Sequence, residues 1–282
     1  MNWKLKSMAF RALSAMPGGT GLHYAAQRYV TRNLPRRPAS LDALWRKAES
    51  LIADYRAHAN QPLESATFLE FGAGRDLAVP IALRLQGVAR VISIDIEPLA
   101  RLDLVLHAAR HYFNRMTAPS RLASWDDLRD FGVDYRAPSG VEDVSTHVDC
   151  VCSNEVLEHI DRASLERIAA HSLKLVRLSG LGVHSIDYGD HFARSDQAID
   201  RFNFLRFDAS EWARHNSRMQ YVNRLRPSDY EALFADAGWK IRSALRTPGR
   251  PTTTTRENVA SEFRHYEDAD LFALSGRIVL SA

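Results

Sequence analysis

The feature that most constrains the fold is a regular alternation of short apolar runs with helical stretches, which begins at Ala66. The runs "ATFLEF" and "ARVISIDI" are each followed by a segment with helical periodicity. Strands and helices that alternate in this way build βαβ units, which favours an α/β fold with a parallel sheet and helices on both faces. The predicted strands are 66–71, 89–96, 133–138, 147–153 and 181–188, and the predicted helices among them are 76–87, 97–115 and 161–177.

The sequence outside this alternation divides into three parts. Residues 1–60 predict a basic, helical N-terminal extension, with a helix over 40–58 at its end. Residues 61–282 predict the main domain, which closes with a helix over 227–239 and two strands, "KIRSALR" and "GRIVLSA". Residues 188–226 lack strand periodicity, and an insertion this long is usually functional, so we interpret it as a substrate-binding lid.

A glycine pair lies where the first predicted strand meets the first predicted helix, in "FLEFGAGRD". Gly72 and Gly74 let the backbone turn tightly and let a ligand approach without a Cβ in the way. In dinucleotide-binding turns a third glycine follows, and the helix N-terminus holds a pyrophosphate. Asp76 takes that place here and would repel a pyrophosphate, so a nicotinamide or flavin dinucleotide is disfavoured.

Two acids frame this turn. Glu70, two residues before the first glycine, suits a ligand that carries positive charge. Asp95 ends the next predicted strand, 25 residues after Glu70, where a carboxylate can accept hydrogen bonds from both hydroxyls of a ribose. The glycine pair and the two acids together predict a site for a cationic nucleoside.

Four stretches, "LEFGAGRD", "VISIDIEP", "DCVCSNEVLEHI" and "LVRLSGLGVHSIDYGDH", resemble the successive motifs of class I S-adenosylmethionine-dependent methyltransferases in order and spacing. The resemblance covers roughly residues 64–187 and the helix end "DAGW". It implies a Rossmann-like, seven-stranded, mostly parallel sheet with helices on both faces and an antiparallel final hairpin. The sequence departs from the family pattern at Asp76, where many members have a third glycine.

The same resemblance implies S-adenosylmethionine as the cofactor. The glycine turn would pass under its methionine part, Asp95 would hold its ribose, and Glu70 would lie near its amino end. The residues assigned to the cofactor in this way are Glu70, Gly72, Ala73, Gly74, Asp95, Ile96 and Asn154. Downstream, "HSIDYGDHF", "NFLRF" and "NRLRPSDY" are similar to bacterial methyltransferases encoded with polysaccharide and glycan biosynthesis genes, which implies O-methylation of a glycan precursor or another polar small molecule.

The motif "SNEVLEHI" follows the predicted strand 147–153 and leaves two interpretations open. On a helix, Glu155, Glu158 and His159 would share one face. In the first interpretation Glu158 and His159 brace the cofactor loop. In the second, the three residues bind a divalent metal, Mg²⁺ or Mn²⁺, because E-x-x-E-H resembles the metal-binding face of small-RNA 2′-O-methyltransferases and of ubiquinone-pathway O-methyltransferases.

The candidate catalytic residues lie in "HSIDYGDHF", at the end of the predicted strand 181–188. An alcohol is a poor nucleophile while it keeps its proton, so its methylation needs a general base or a metal. We interpret His191 as the general base or a further metal ligand, oriented by Asp187 or Asp190. In the predicted lid, Asn203, Arg206, Trp212, Asn223, Arg224, Arg226 and Tyr230 would suit a sugar that carries a phosphate or carboxylate; a purely structural role for them is equally compatible.

Charge and cysteine usage bear on location and partners. Residues 1–56 carry ten Lys/Arg and three Asp/Glu, whereas the whole chain has a net charge of only +3. This charge suits a solvated helical face, or contact with membrane phosphates, a nucleic acid or an anionic carrier lipid, so peripheral contact with the inner membrane is one of the interpretations left open. The two cysteines, Cys150 and Cys152, are separated by one residue in an apolar run and have no partner elsewhere in the sequence. They are therefore expected to be reduced, which predicts a cytoplasmic protein. RNA 2′-O-methylation is an alternative function, but the sequence contains no recognisable nucleic-acid-binding module. A non-catalytic binding protein is a second alternative, and the intact glycine turn argues against it.

Overall fold

A computed structural model describes residues 2–116 and 121–282. Seven strands form one sheet in the order β3-β2-β1-β4-β5-β7-β6. The strands β1 to β5 pair in parallel, and β7 lies antiparallel to both β5 and β6. The strands are β1 (Thr67–Phe71), β2 (Arg90–Ile94), β3 (Val133–Arg136), β4 (Val148–Asn154), β5 (Val176–Asp187), β6 (Lys240–Pro248) and β7 (Ala273–Ser281). This confirms the predicted seven-stranded, mostly parallel sheet.

The helices cover both faces of the sheet, as the alternation predicts. One hydrophobic core includes Leu41, Trp45 and Val105 beside the inner strands, and the other includes Leu165 and Leu233. The helices are α1 (Trp3–Ala15), α2 (Gly19–Ala25), α3 (Pro38–His58), α4 (Ala78–Leu85), α5 (Leu102–Arg115), α6 (Trp125–Asp130), α7 (Arg162–Leu175), α8 (Ala209–Trp212), α9 (Pro227–Asp236) and α10 (Asp268–Leu271). Helices α3, α4 and α5 belong to the first core, and α7 and α9 to the second.

The strand order reverses between β1 and β4, and this point fixes where a ligand can bind. The connections from β1 and from β4 leave toward opposite sides at their carboxyl ends, so a crevice opens there. Glu70 and Phe71 end β1, and Ser153 and Asn154 end β4, so the sequence motifs of both strands meet at this crevice.

A third hydrophobic cluster joins the insertion to the start of the chain. Trp3 packs among Phe192, Phe204 and Trp212, all of them buried. Residues 188–226, all of which the structure describes, form short helical turns and α8 and contribute no strand to the sheet. The N-terminal extension is therefore packed onto the insertion by large aromatic side chains, which contribute about 1.5–3 kcal/mol each when fully buried. Among the described residues, no helix has both the length and the apolar character that a membrane span requires.

Candidate functional site

The glycine turn forms the floor of the crevice. Gly72 and Gly74 have φ angles of 80° and 70°, a conformation that glycine adopts without strain. A Cβ at Gly72 would collide with the side chain of Val156, whereas a Cβ at Gly74 would meet nothing within 4 Å. The turn is thus packed against Val156 at Gly72 and open at Gly74, with the buried Ala73 between the two glycines. This gives a ligand free access to the backbone.

Asp95 lies at one end of this turn, directly after β2. Its Oδ2 accepts a hydrogen bond from the Gly74 amide at 3.2 Å, and its Oδ1 accepts one from the Glu97 amide at 3.2 Å. Burial raises the pKa of the Asp95 carboxyl. The next side chain, Ile96, is 77% exposed, so an apolar surface lies beside a hydrogen-bond acceptor, as a ribose with an attached flat base would require.

Glu70 and Asn154 lie at the ends of the two central strands. Glu70 is buried, and its Oε2 accepts a hydrogen bond of 2.6 Å from the Ser93 hydroxyl. Burial raises the pKa of Glu70 to about 7, so a cationic group bound nearby would favour the ionised carboxylate. Asn154 accepts a hydrogen bond of 2.8 Å from the Ser185 hydroxyl. The structure therefore brings all seven sequence-predicted cofactor residues to the turn or to the adjoining strand ends.

The segment after β4 corrects the predicted helical face. Glu155 has a left-handed φ of 53°, and only Leu157–His159 form a short 3₁₀ turn. The Glu155 side chain points to α3, where it forms an ion pair of 2.5 Å with Lys47. The prediction that Glu155 shares a helical face with Glu158 and His159 is wrong, because Glu155 is left-handed and lies outside the short turn that carries the other two.

A different trio comes together instead, made of Glu158, His159 and His191. Each offers a ligand atom, and these atoms lie within 4.8 Å of one another. Glu158 is 2% exposed; one of its oxygens accepts the Asp187 amide at 3.3 Å, and the other has no hydrogen-bond partner among the described residues. Burial raises the pKa of Glu158 well above its ordinary value. A buried carboxylate oxygen without a partner is costly and suits a proton or a cation.

His191 also lies beside Asp187. Its Nε2 is 3.3 Å from the Asp187 Oδ2, close enough for an ion pair with a protonated ring, although not aligned as a hydrogen bond. Asp187 also forms ion pairs with Arg194 at 2.5 Å and Arg201 at 2.6 Å. Burial alone would raise the pKa of Asp187, but its contacts with His191 and Arg201 lower it well below the ordinary range. Asp187 is thus a fixed negative charge next to His191.

Of the two acids predicted to orient His191, the structure places Asp187 beside the ring, whereas Asp190 has other partners. Its carboxylate accepts hydrogen bonds from the Phe192 amide at 2.8 Å and from the Asn203 side chain at 3.1 Å, so it caps the turn that begins at His191. Burial raises the pKa of Asp190 to about 6. Asp190 therefore holds the backbone of this turn in place. The carboxylate beside the imidazole is that of Asp187.

The polar side chains of the insertion mostly serve the structure. Arg226 is fully buried and donates to the carbonyls of Tyr188, Asp270 and Ala273. Arg224 donates to the carbonyls of Phe204 and Phe207 and to the carboxylate of Glu262. Of the two interpretations for these residues, the structural one is therefore the better supported. The buried Trp212 and Tyr230 fit it too.

Two further features of the site were not predicted from the sequence. Asn223 donates to the carbonyls of Leu157 and Ile160, so the insertion fixes the turn that carries Glu158 and His159. The N-terminal segment crosses from the insertion to the glycine turn: Lys6 donates to Ser195, and the Tyr24 ring contacts the guanidinium of Arg75, the residue after Gly74. Both depend on contacts between residues far apart in the chain, which no local pattern reveals.

Comparison with family models shows the family of this chain. The model of a family described as "Methyltransferase domain" matches residues 24–244. A search of curated proteins found no match. Among solved structures, the chain is similar to magnesium protoporphyrin IX methyltransferase from Synechocystis PCC 6803 with bound SAH, at 15% identity and a TM-score of 0.47, covering 84% of this chain and 82% of that one.

Two further solved structures give similar values. The Synechocystis enzyme with bound SAM has 12% identity and a TM-score of 0.48, covering 100% of this chain and 97% of the other. A SAM-dependent methyltransferase from Methanosarcina mazei has 14% identity and a TM-score of 0.46, covering 79% of this chain and 94% of the other.

Proposed function

Since the chain belongs to the methyltransferase domain family, we propose that it transfers a methyl group to a hydroxyl oxygen of a polar small molecule, such as a glycan precursor. The observation that carries this proposal is the pairing of His191 with the buried carboxylate of Asp187 at 3.3 Å, next to the crevice. A hydroxyl must lose its proton as it is methylated, and a histidine beside a fixed negative charge can take that proton.

The crevice fits S-adenosylmethionine, the methyl donor of this family. Space is open above Gly74, Asp95 can accept hydrogen bonds from ribose hydroxyls, and the exposed Ile96 offers a surface for an adenine. Glu70 and Asn154 would lie near the methionine part. When bound, the cofactor supplies an electrophilic methyl group, so the protein's remaining tasks are to orient the acceptor, exclude water and remove the proton.

His191 and Asp187 divide the last task between them. The charge of Asp187 favours the imidazolium that forms when His191 accepts the acceptor's proton. Arg194 and Arg201 keep Asp187 ionised and in place. The 3₁₀ turn after Asp190 holds the imidazole of His191 at the carboxyl end of β5, on the edge of the sheet where the glycine turn also lies.

The proposal is tested by incubating the purified protein with methyl-labelled S-adenosylmethionine and a fraction of polar metabolites. We expect labelled products whose methyl group survives both alkali and hydroxylamine, as a methyl ether does. A label that alkali removes would indicate a carboxyl ester, and a label on nitrogen or sulfur would also contradict the proposed acceptor. Mass spectrometry of the labelled product identifies the acceptor atom.

A divalent cation gives a second version of the same reaction. We propose that Glu158 and His159, with His191 as a third ligand, can hold Mg²⁺ or Mn²⁺, which would lower the pKa of an acceptor hydroxyl in place of a base. The unpartnered oxygen of Glu158 favours this version. So does the hydrogen bond of 2.6 Å from His159 Nδ1 to the Tyr221 carbonyl, because it leaves Nε2 free as a ligand.

The cation version predicts metal binding that depends on Glu158 and not on Glu155. We expect Mn²⁺ bound to the chelated, dialysed protein to be detected by electron paramagnetic resonance. Glu158→Gln should weaken that binding by about 10- to 100-fold, whereas Glu155→Gln should leave it unchanged, because Glu155 pairs with Lys47. Chelation should lower turnover, and Mn²⁺ should restore it. Full turnover after exhaustive chelation would leave His191 as the base and contradict the cation version.

We also propose that the N-terminal segment touches an anionic membrane surface. Residues 1–37 contain seven Lys/Arg and no Asp/Glu. Leu5 and Met8 are 64% and 63% exposed on α1, opposite the buried Trp3 and Ser7. Basic and apolar side chains together on one exposed face are typical of helices that lie on anionic lipid.

The membrane contact is tested by vesicle flotation. We expect the protein to float with phosphatidylglycerol vesicles and not with phosphatidylcholine vesicles. The double change Leu5→Glu with Met8→Glu should reduce the bound fraction by about tenfold or more, since two apolar side chains lose their burial. The matched control, Leu178→Glu with Leu245→Glu, changes residues that are 98% and 54% exposed elsewhere. Equal loss in both double variants, or equal flotation with both lipids, would refute the contact.

A further inference from the structure

A second cavity lies beside the crevice, between α3 and strands β5, β6 and β7. Its volume is about 440 Å³, a size typical of small-molecule sites. Side chains from successive turns of α3, Arg46, Lys47 and Ser50, form one wall. Strands β5, β6 and β7 form the opposite wall. At one end Asn154 and Glu155 line the cavity, so it opens onto the crevice at the carboxyl end of β4.

The cations of this cavity are not all neutralised. Lys47 forms its ion pair with Glu155, the only acidic residue in the lining. Arg277 is held by Asp54, which lies behind the lining, and by the Ser50 hydroxyl. Arg46 is exposed and makes no hydrogen bond or ion pair within the described ranges. The acid one turn before it, Asp42, is engaged by His111 and Arg115. Among the described residues, the Arg46 guanidinium therefore forms no direct ion pair, and its charge acts on Asp42 only at longer range.

The remaining polar lining consists of hydroxyls. Ser185 and Ser275 come from β5 and β7, Thr247 comes from β6, and Ser50 comes from α3. Hydroxyl side chains can donate and accept at once, so they match the hydroxyls of a carbohydrate. Leu51, Val183 and Leu245 add apolar surface of the kind that contacts the C–H faces of a sugar ring.

We infer that this cavity is the acceptor subsite, and that it takes a hydroxyl-rich molecule with one anionic group, a phosphate or a carboxylate. The inference rests on the proposed function and names its substrate class. Arg46 would bind the anionic group through its planar fork of N–H donors, which matches both phosphate and carboxylate oxygens. The hydroxyls would hold the ring, with its reacting hydroxyl directed past Asn154 toward the crevice.

The test measures binding of three hexose probes by calorimetry in the presence of S-adenosylhomocysteine: glucose 6-phosphate, glucuronate and glucose. We expect at least one anionic probe to bind about tenfold or more tightly than glucose. Arg46→Ala should remove that preference, and Arg46→Glu should reverse it. Arg56→Ala is the matched control, since Arg56 is exposed on the same helix but does not line the cavity.

The possible results distinguish a failure of the acceptor subsite from a failure of the proposed methyltransferase activity. Preference for the phosphate probe alone or for the carboxylate probe alone supports the inference and identifies the anionic group. Equal binding of all three probes, or an unchanged preference in both Arg46 variants, overturns the inference while the proposed function stands. Failure of S-adenosylhomocysteine itself to bind in the same experiment would instead contradict the proposed function.

Discussion

Replacing His191 with alanine is expected to lower kcat by about 100- to 10,000-fold, the range that a positioned general base contributes. The imidazole lies 3.3 Å from the buried Asp187 carboxylate and within ligand distance of Glu158 and His159. Both versions of the reaction need it, as the base in one and as a metal ligand in the other. Single-turnover rates with labelled S-adenosylmethionine measure the effect on the chemical step.

This prediction separates catalysis from cofactor binding. Within the part of the chain that the structure describes, the ion pair and ring contact of His191 go to Asp187 and His159 and not to the glycine turn or Asp95. The affinity for S-adenosylmethionine, measured by calorimetry, should therefore stay within about twofold of the wild-type value. His58→Ala is the matched control, because His58 is an exposed histidine at the end of α3, away from the site. A His191→Ala protein that folds, binds the cofactor and keeps its kcat would remove His191 from the mechanism.

Replacing Asp95 with alanine is expected to weaken S-adenosylmethionine binding by about 100-fold or more. Two hydrogen bonds from ribose hydroxyls to a carboxylate would be lost, at about 1.5–3 kcal/mol each for bonds to a charged group. The turn itself also depends on Asp95, which accepts the amides of Gly74 and Glu97. Calorimetry gives the affinity, and thermal unfolding of the cofactor-free protein shows whether the turn has survived.

Two companion variants make the Asp95 prediction specific. Asp95→Asn keeps one acceptor oxygen for the turn and should lose less affinity than Asp95→Ala. Asp126→Ala, which changes an exposed aspartate on α6, should leave the affinity unchanged. Wild-type affinity in a folded Asp95→Ala protein would mean that the ribose lies elsewhere.

The sheet and its order of elements could be predicted because they follow from local patterns. The run predicted at 66–71 is β1 (Thr67–Phe71), and the run predicted from Lys240 is β6. Strands that are buried on both faces must be apolar throughout, which makes them easy to recognise. The helix predicted from residue 97 begins only at Leu102, because residues 95–101 form a loop whose bonds go to partners distant in sequence, such as the Arg101 amide with the Arg75 carbonyl.

The placement of the residues around the glycine turn could be predicted for a similar reason. Gly72, Gly74 and Asp95 are placed by the ends of β1 and β2, so their positions follow from the strands that carry them. The spacing of a strand, a turn and a helix leaves little freedom at these points.

The arrangement of the candidate catalytic residues could be predicted only in part, because it depends on a left-handed backbone residue and on contacts between residues distant in the chain. Glu155 leaves its expected face through a single left-handed residue, a conformation uncommon outside glycine and asparagine. The carboxylate of Asp190 accepts a hydrogen bond from the side chain of Asn203, which lies 13 residues further along the chain. The role of Lys47 as the partner of Glu155 requires α3 to pack beside β4, which no pattern around Lys47 indicates.

The most direct test of the account is a crystal structure of the protein with S-adenosylhomocysteine. We expect density for the ligand over Gly72 and Gly74, with the ribose hydroxyls hydrogen-bonded to the Asp95 carboxylate and the adenine packed against the Ile96 side chain. A crevice that stays empty, or one filled by side chains while the ligand binds elsewhere, would contradict it.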